Sequence, residues 1–308
     1  MNKVDLVKRF CSSPVCALPV LFERGSEPRV SAEYLSFLKE HGTKTVMTTA
    51  GTSNFYKMSY EQLLNVNKLV GKESGLNKIL GLLPTDTQGA ILQAKLLNQM
   101  NLEDAAIMPL YPDRYYDDEM IIKYFYAVAD CSKYPVFIHG MFMRSATGGT
   151  YNFSSELINK IKEHPKIIGM KEETRDLGGA FDIVKKTSSE DFGIIVAGGS
   201  QRRFAFLHPA GAHTFLTGVG NLIPEADFEF QNLLNDNNYL AAKKLMNYYE
   251  VELFDVFMRM GWHKALSIAM NHFHDYSMGI DPIPKVTEDE REIIIKLVNK
   301  LRKKYYEK

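Results

Sequence analysis

Two short apolar runs in this chain end in residues that a protein interior does not hold without a reason. "KIIGMKE", Lys166 to Glu172, places Lys171 at the end of a run that reads as a buried strand. "YPVFIHG", Tyr134 to Gly140, places His139 at the matching point of another. An unpaired charged amine is costly to bury. Held in a partly desolvated cavity, an amine gives up its proton more readily and becomes a nucleophile toward a ketone or aldehyde, with which it forms a Schiff base. An imidazole, with an ordinary pKa of about 6.5, can give and take the protons such a reaction moves. The plainer readings are a strand-end ion pair of Lys171 with Glu172 or Glu173, and a strand-end hydrogen bond for His139.

Other candidates carry weaker chemistry. Gly198, Gly199 and Ser200, followed by Arg202 and Arg203, come after a further apolar run, where a phosphate could sit on backbone amides. His272 and His274 resemble a metal pair, but residues two apart point away from each other on a helix, so they read as helix surface or core. Cys11, Cys16 and Cys131 are too few and too scattered for a disulfide framework or a zinc site, and they suit a reducing compartment. No metal and no dissociable cofactor is implied. The terminal "LRKKYYEK" reads as a solvated helix end.

The elements that must position these residues are legible as an alternation. Eight apolar runs begin at Cys16, Lys44, Lys78, Asp104, Tyr134, Lys166, Phe192 and His213. Their starts lie between 21 (Phe192 to His213) and 34 (Lys44 to Lys78) residues apart, which leaves room for a helix and two loops after each. Near-continuous apolarity is what parallel strands buried on both faces require. Helix signals fill the gaps. Ser31 precedes "AEYLSFLKEHG", with Leu35 and Leu38 on one face and Gly42 at the left-handed end position, and capping boxes are predicted at Ser59 with Gln62, Thr85 with Gln88 and Thr287 with Glu290. Eight βα units in a row, with no G-x-G-x-x-G after the first strand, predict a (β/α)8 TIM barrel over residues 1–232, in the α/β class. A C-terminal helical extension is predicted for 233–308, where the pattern turns to helix alone.

Composition bounds the partners. Lys plus Arg and Asp plus Glu are 37 each in 308 residues, without the basic excess that nucleic acid binding demands. No run of eighteen apolar residues occurs, and "MNKVDLVKRFCSSPV" has no signal-peptide core, so neither membrane spanning nor secretion is supported and a cytoplasmic location is the expectation. The expected partner is a small molecule.

In order along the chain, the motifs resemble the dihydrodipicolinate synthase and N-acetylneuraminate lyase family of pyruvate-dependent class I aldolases. "GTSN" at Gly51–Asn54 is similar to the family's carboxylate-holding G-T/S-T-G-E loop, "PLY" at Pro109–Tyr111 to its Pro-Tyr-Tyr, and "PVFIHGMFMR" to its Pro-Val-x-x-Tyr-Asn-x-Pro-x-Arg. "IIGMKEETRDL" resembles the segment that presents the Schiff-base lysine, "AGGS" the Gly-rich turn after strand seven, and "TGVGNLIP" the Ser-V-x-x-Asn-x-x-Pro after strand eight. The resemblance implies that Lys171 forms an imine with pyruvate or a related 2-oxo acid and that Thr52 and Ser53 hold its carboxylate. It further implies contacts from Gly198 and Thr217, an Arg144 that meets the second substrate, and a Tyr111 that reaches into a neighbouring subunit's site as part of a proton relay, supporting catalysis with Thr52, hence a homo-oligomer, tetramer or dimer.

The departures from the family pattern are as informative. The strand-five tyrosine is here His139, and the Gly-Glu after the double threonine is Asn54-Phe55. Phe55, Tyr56, Met141, Phe142 and Met143 predict a pocket more apolar than one built for sugars or an aspartate semialdehyde. The expected activity is reversible aldol cleavage or condensation, with 2-oxo acid dehydration or hydration, or a non-catalytic carboxylate-binding relative, as the alternatives.

Overall fold

The computed structural model describes residues 1–20, 30–53, 55–111, 117–140, 143–144, 150–151, 153–275 and 285–306. Eight parallel strands close into a barrel: β1 (Val15–Ala17), β2 (Thr45–Met47), β3 (Asn77–Gly81), β4 (Ala105–Met108), β5 (Val136–Gly140), β6 (Ile167–Glu172), β7 (Gly193–Val196) and β8 (Thr214–Thr217). Closure runs through β8 against β1, where Val15 pairs with Leu216 and Cys16 with Thr217. All eight predicted strands are present. They are short because a barrel strand needs to span only the layer of inward side chains, and Met47, Ile79, Ala106, Met108, Phe137, Ile168 and Ile195 fill that layer.

The bottom of the barrel is plugged by α1 (Lys3–Cys11), capped by the Asn2 side chain on the Asp5 amide. Its Phe10 meets Phe137 edge to face at 5.8 Å, and burying such a ring is worth ~1.5–3 kcal/mol. Helices α2 (Ala32–Glu40), α3 (Tyr60–Gly71), α4 (Thr87–Asn98), α5 (Asp118–Cys131), α6 (Ser155–Ile161), α7 (Leu177–Thr187) and α8 (Ser200–Leu207) follow the strands in turn. The Ser59–Gln62 capping box forms with both bonds, as does that of Thr287 with Glu290. The box predicted at Thr85 does not start α4: Asp86 caps it, accepting from the Gly89 amide, because a carboxylate one residue on satisfies the same amides. Ser31 caps α2 and Gly42 takes φ +88° beyond its end, as predicted.

After β8 the chain forms α9 (Pro224–Asn235), so the junction expected at 232 falls inside a helix that ends three residues later. Then come α10 (Tyr239–Met246), a π-helical turn (Asn247–Val251), α11 (Glu252–Met260), α12 (Trp262–His274) and α13 (Glu288–Tyr306). The tail is docked, not solvated: the hydroxyl of Tyr305 donates to Glu229 at 2.5 Å and that of Tyr306 to Glu225 at 2.7 Å, both on α9. Arg302 lies 4.2 Å over the Tyr306 ring. A small hairpin pairs Met143–Arg144 with Thr150–Tyr151.

Candidate active site

Register brings the two opening candidates together. On adjacent strands β5 and β6, Phe137 pairs with Gly169 and His139 with Lys171, so alternation puts both polar residues on the inner side, one layer above Phe137. A single irregularity sets this phase. Val136 pairs with Ile167 but Phe137 with Gly169, so Ile168 is an extra residue on β6. Gly169 makes room for it, since a Cβ there would stand 2.6 Å from the Phe137 ring and 2.3 Å from the Gly193 carbonyl oxygen.

Lys171 is 2 % exposed, and its Nζ lies 2.8 Å from His139 Nε2 and 2.9 Å from Glu173 Oε2. The third side of the triangle, Nε2 to Oε2, is 3.0 Å. Glu172 points the other way, to Arg203 on α8 at 2.8 Å and to the Thr174 amide at 2.7 Å. The lysine's carboxylate partner is therefore Glu173. Burial, and then the neighbouring Lys171 charge, push the His139 pKa down to about 4, with Glu173 pulling the other way. Burial would raise the Glu173 carboxyl, but the Lys171 charge and the His139 hydrogen bond outweigh it and hold Glu173 well below the usual carboxylate range. Two proton arrangements satisfy the triangle. In one, Nε2 accepts from Lys171, which also donates to Glu173. In the other, the amine is neutral: one N–H donates to Nε2 and the other to Glu173, and the lone pair stays free.

A cavity of about 270 Å3 opens beside this triangle at the C-terminal end of the barrel. Lys171, Glu173, Thr52, Gly198 and Thr217 border it. Gly198, at φ +76°, adopts the left-handed conformation and passes close to Glu173, whose Cγ would be 3.5 Å from a Cβ. The Thr217 hydroxyl donates to Asp227 at 2.6 Å and accepts from the Gly220 amide, so it holds the wall. Of the two hydroxyls expected on a carboxylate, Thr52 borders the cavity, while Ser53 donates to the Leu18 carbonyl at 2.6 Å. Tyr111 also departs from expectation. A side chain reaching a neighbouring subunit must project from its own chain, yet Tyr111 is 4 % exposed and packs edge-on against Tyr124 at 5.3 Å. Asn54, Met141 and Phe142 lie outside the described residues, as do the side chains of Tyr56, Met143 and Arg144.

The phosphate reading of the strand-seven turn meets an occupied site. The buried carboxylate of Glu250 accepts from the amides of Gln201 (2.5 Å) and Arg202 (3.1 Å) and from Arg202 Nε (3.2 Å). Arg203 is engaged with Glu172 and the Thr174 carbonyl. Both the helix N-terminus and the arginines thus have anionic or carbonyl partners from the chain itself. His272 is exposed, and His274 reaches the Asn221 carbonyl oxygen at 3.1 Å; among the described residues no cluster of metal-ligating side chains occurs.

The outer wall comes from the C-terminal helices. Phe254 and Met258 of α11 and Trp262 and His263 of α12 border the same cavity as Lys171. His263 Nε2–H donates to the Gly51 carbonyl at 2.8 Å, and the Trp262 ring fills the space beside Gly218, where a Cβ would come within 2.3 Å of it. Sequence reasoning missed these residues, and nothing in their local pattern marks them. Glu173 was signalled, because strand alternation places it with Lys171 and opposite to Glu172.

A closed parallel barrel that carries a lysine, a histidine and a carboxylate at the C-terminal mouth has the architecture of a class I aldolase barrel. A model of the Dihydrodipicolinate synthetase family matches residues 29–301, and the chain belongs to that family, whose members are class I aldolases and lyases. Among curated proteins it is 25% identical over 225 residues to a 4-hydroxy-tetrahydrodipicolinate synthase of Archaeoglobus fulgidus, covering 73% of this chain and 74% of that one. A namesake from Methanosphaerula palustris is 26% identical over 52% of this chain and 54% of its own. Among solved structures, dihydrodipicolinate synthase from Oceanobacillus iheyensis superposes with a TM-score of 0.80 at 17% identity, over 98% and 99% of the two chains. N-acetylneuraminate lyase from Fusobacterium nucleatum does so with 0.81 at 16%, over 94% and 99%. At these identities the superpositions speak for the fold. No described helix is long and apolar enough to cross a membrane.

Proposed function

We propose that the protein forms a Schiff base between Lys171 and pyruvate or a related 2-oxo acid and uses it for reversible aldol cleavage or condensation. The observation that carries this reading is the triangle of Lys171 Nζ with His139 Nε2 and Glu173 Oε2 at the edge of a cavity. The 2-oxo acid's carboxylate would rest near Thr52, on the loop that His263 ties down. Lys171, in the arrangement with a free lone pair, attacks C2, and the carbonyl oxygen becomes a hydroxyl. The nitrogen proton passes to His139 Nε2, beside Glu173, and from there to the carbonyl oxygen, giving that hydroxyl; a second proton, taken from solvent and delivered by His139, lets it leave as water and leaves the protonated imine. The protonated imine then accepts the electron pair released when the C3–C4 bond breaks, or supplies the enamine that makes it.

His139 Nε2, neutral near pH 7 because burial depresses it, serves as the acceptor, and Glu173 stabilises the imidazolium that forms. This division of labour fits a chain without the family tyrosine. Relatives named as a synthase, a lyase and a 2-keto-3-deoxygluconate aldolase share the barrel, so the second substrate is not fixed by kinship. A homo-oligomer belongs to this proposal as a family inference, and light scattering of the purified protein checks it.

The deciding experiment is an intact mass spectrum after incubation with pyruvate and sodium borohydride, with Lys171→Ala in parallel. A pyruvate-sized adduct on wild type alone is expected. Its absence across pyruvate and longer 2-oxo acids would sink the Schiff-base reading in favour of a carboxylate-binding protein.

A further inference from the structure

We propose that the cavity is built for a substrate whose far end, beyond the reacting carbons, is an aromatic ring seated against Trp262, Phe254 and Met258. This rests on the 2-oxo acid reading and adds the class of the second substrate. The barrel lends the cavity its polar lining, Lys171, Glu173, Thr52, Ser200 and Thr217, while His263 of α12 is engaged with the Gly51 carbonyl. The wall supplied by α11 and α12 is rings and a thioether, with Leu216 and Ala17 completing it from the barrel. A sugar or a charged aldehyde would set hydroxyls or a carboxylate against those side chains without protein partners, which is costly wherever binding displaces their water. A ring would gain area burial and face or edge contacts, worth ~0.5–1.5 kcal/mol beyond the area itself.

The wall is also rigid. Trp262 is held at 5.1 Å and 36° by Phe254 and at 5.5 Å and 55° by Phe257, while its far edge is locked beside Gly218. Phe254 is fixed in turn by Arg202, whose guanidinium carbon lies 4.7 Å from the ring centroid. Gly261, at φ +91°, ends α11 and turns the chain directly into α12, so Met258 and Trp262 come to the same cavity from two helices. Rings fixed before binding lose little conformational freedom when a ligand arrives. Met258 keeps 61 % exposure, and its flexible thioether can close over a ring. At about 270 Å3 the cavity is smaller than the ~300–1,000 Å3 typical of drug-sized ligands, so a pyruvate-sized unit and a single ring match it better than an extended chain.

Trp262 is the one tryptophan of the chain, so its emission reports on this wall directly. The experiment titrates wild type and Lys171→Ala with 2-oxo-4-phenylbutanoate and with 2-oxohexanoate, an aliphatic acid of matching reach, following Trp262 fluorescence. The phenyl compound should perturb the emission and bind roughly three- to ten-fold tighter than the aliphatic one. Stacking does not need the imine, so Lys171→Ala should keep that preference, and Phe254→Ala should reduce it toward unity. Equal affinity for the two acids, or binding of the phenyl compound without a change in emission, overturns the inference. The two readings fail separately: borohydride trapping without a phenyl preference removes the aromatic subsite alone, and a phenyl preference without trapping removes the Schiff base alone.

Discussion

His139 occupies the position where the family's pattern has a tyrosine, and its environment decides what it can do there. Burial brings its pKa to about 4, so in the proposed reaction it would serve as a transient proton acceptor near neutral pH and not as a standing acid. Glu173 is what makes that acceptance affordable in free energy, since its carboxylate lies 3.0 Å from Nε2. Glu173→Gln should lower kcat by ~10²–10⁴-fold, the range for loss of acid–base assistance. Removing an interaction that raises the His139 pKa also moves any acid limb governed by that residue to lower pH; an unmoved limb would exclude His139 as its origin. His139→Ala should lose turnover and His139→Tyr should keep a substantial part with an altered pH optimum. Turnover of His139→Ala equal to wild type would rule the relay out. At this scale the sequence was generous where strand ends carry polar residues, which is how Lys171 and His139 stood out. It was silent on Ser53, whose hydroxyl is claimed by a carbonyl 35 positions earlier in the chain, at Leu18.

Among the elements, β6, which carries Lys171, and α8, whose first residue borders the cavity, each hide a feature that periodicity does not reveal. The eight strands were legible because parallel strands buried on both faces are apolar throughout, but that same uniformity conceals phase. The extra residue Ile168 determines that Lys171 points inward, and an apolar run reads identically with or without it. Gly169→Ala would press a methyl group on the Gly193 carbonyl and Phe137, and should cost ~1–3 kcal/mol, read as a lower urea midpoint with weaker borohydride trapping. The α8 terminus is held by two buried carboxylates that no local motif announces. Asp227 accepts from Gln201 and Thr217, and burial raises its pKa from 3.8 to about 6; burial likewise raises Glu250 to about 7. Folded Asp227 binds its proton more tightly than the unfolded chain, so its contribution to stability is full below about pH 4 and lost as pH rises through about 6. Asp227→Asn, which cannot ionise, should escape that loss: its stability relative to wild type should rise by ~2–3 kcal/mol between pH 4 and 7, measured by urea unfolding. A constant difference across that range would show that Asp227 does not titrate there.

For the whole molecule, the C-terminal helices wall the same cavity that Lys171 borders. Reading residues beyond 232 as a C-terminal helical extension followed from their lack of strands, but sequence periodicity has no means of saying where such helices dock. Docking is specified by long-range partners instead: Tyr306 and Tyr305 on the carboxylates of α9, Trp262 on Gly218, and His263 on Gly51. The last of these ties α12 to the turn that carries Thr52, 212 positions earlier. The helices thereby set the position of the loop that would receive the substrate's carboxylate, through a hydrogen bond from His263 to a backbone carbonyl. A neutral hydrogen bond of this kind contributes ~0.5–1.5 kcal/mol. His263→Ala should therefore raise KM for the 2-oxo acid roughly two- to ten-fold with a smaller change in kcat, because the loss falls on binding and leaves the Lys171 triangle intact. His263→Gln, which can still donate to the Gly51 oxygen, should recover much of the loss. A fall in kcat at constant KM, or no rescue by glutamine, would mean that the helical wall acts on the chemistry by another route than the carboxylate loop.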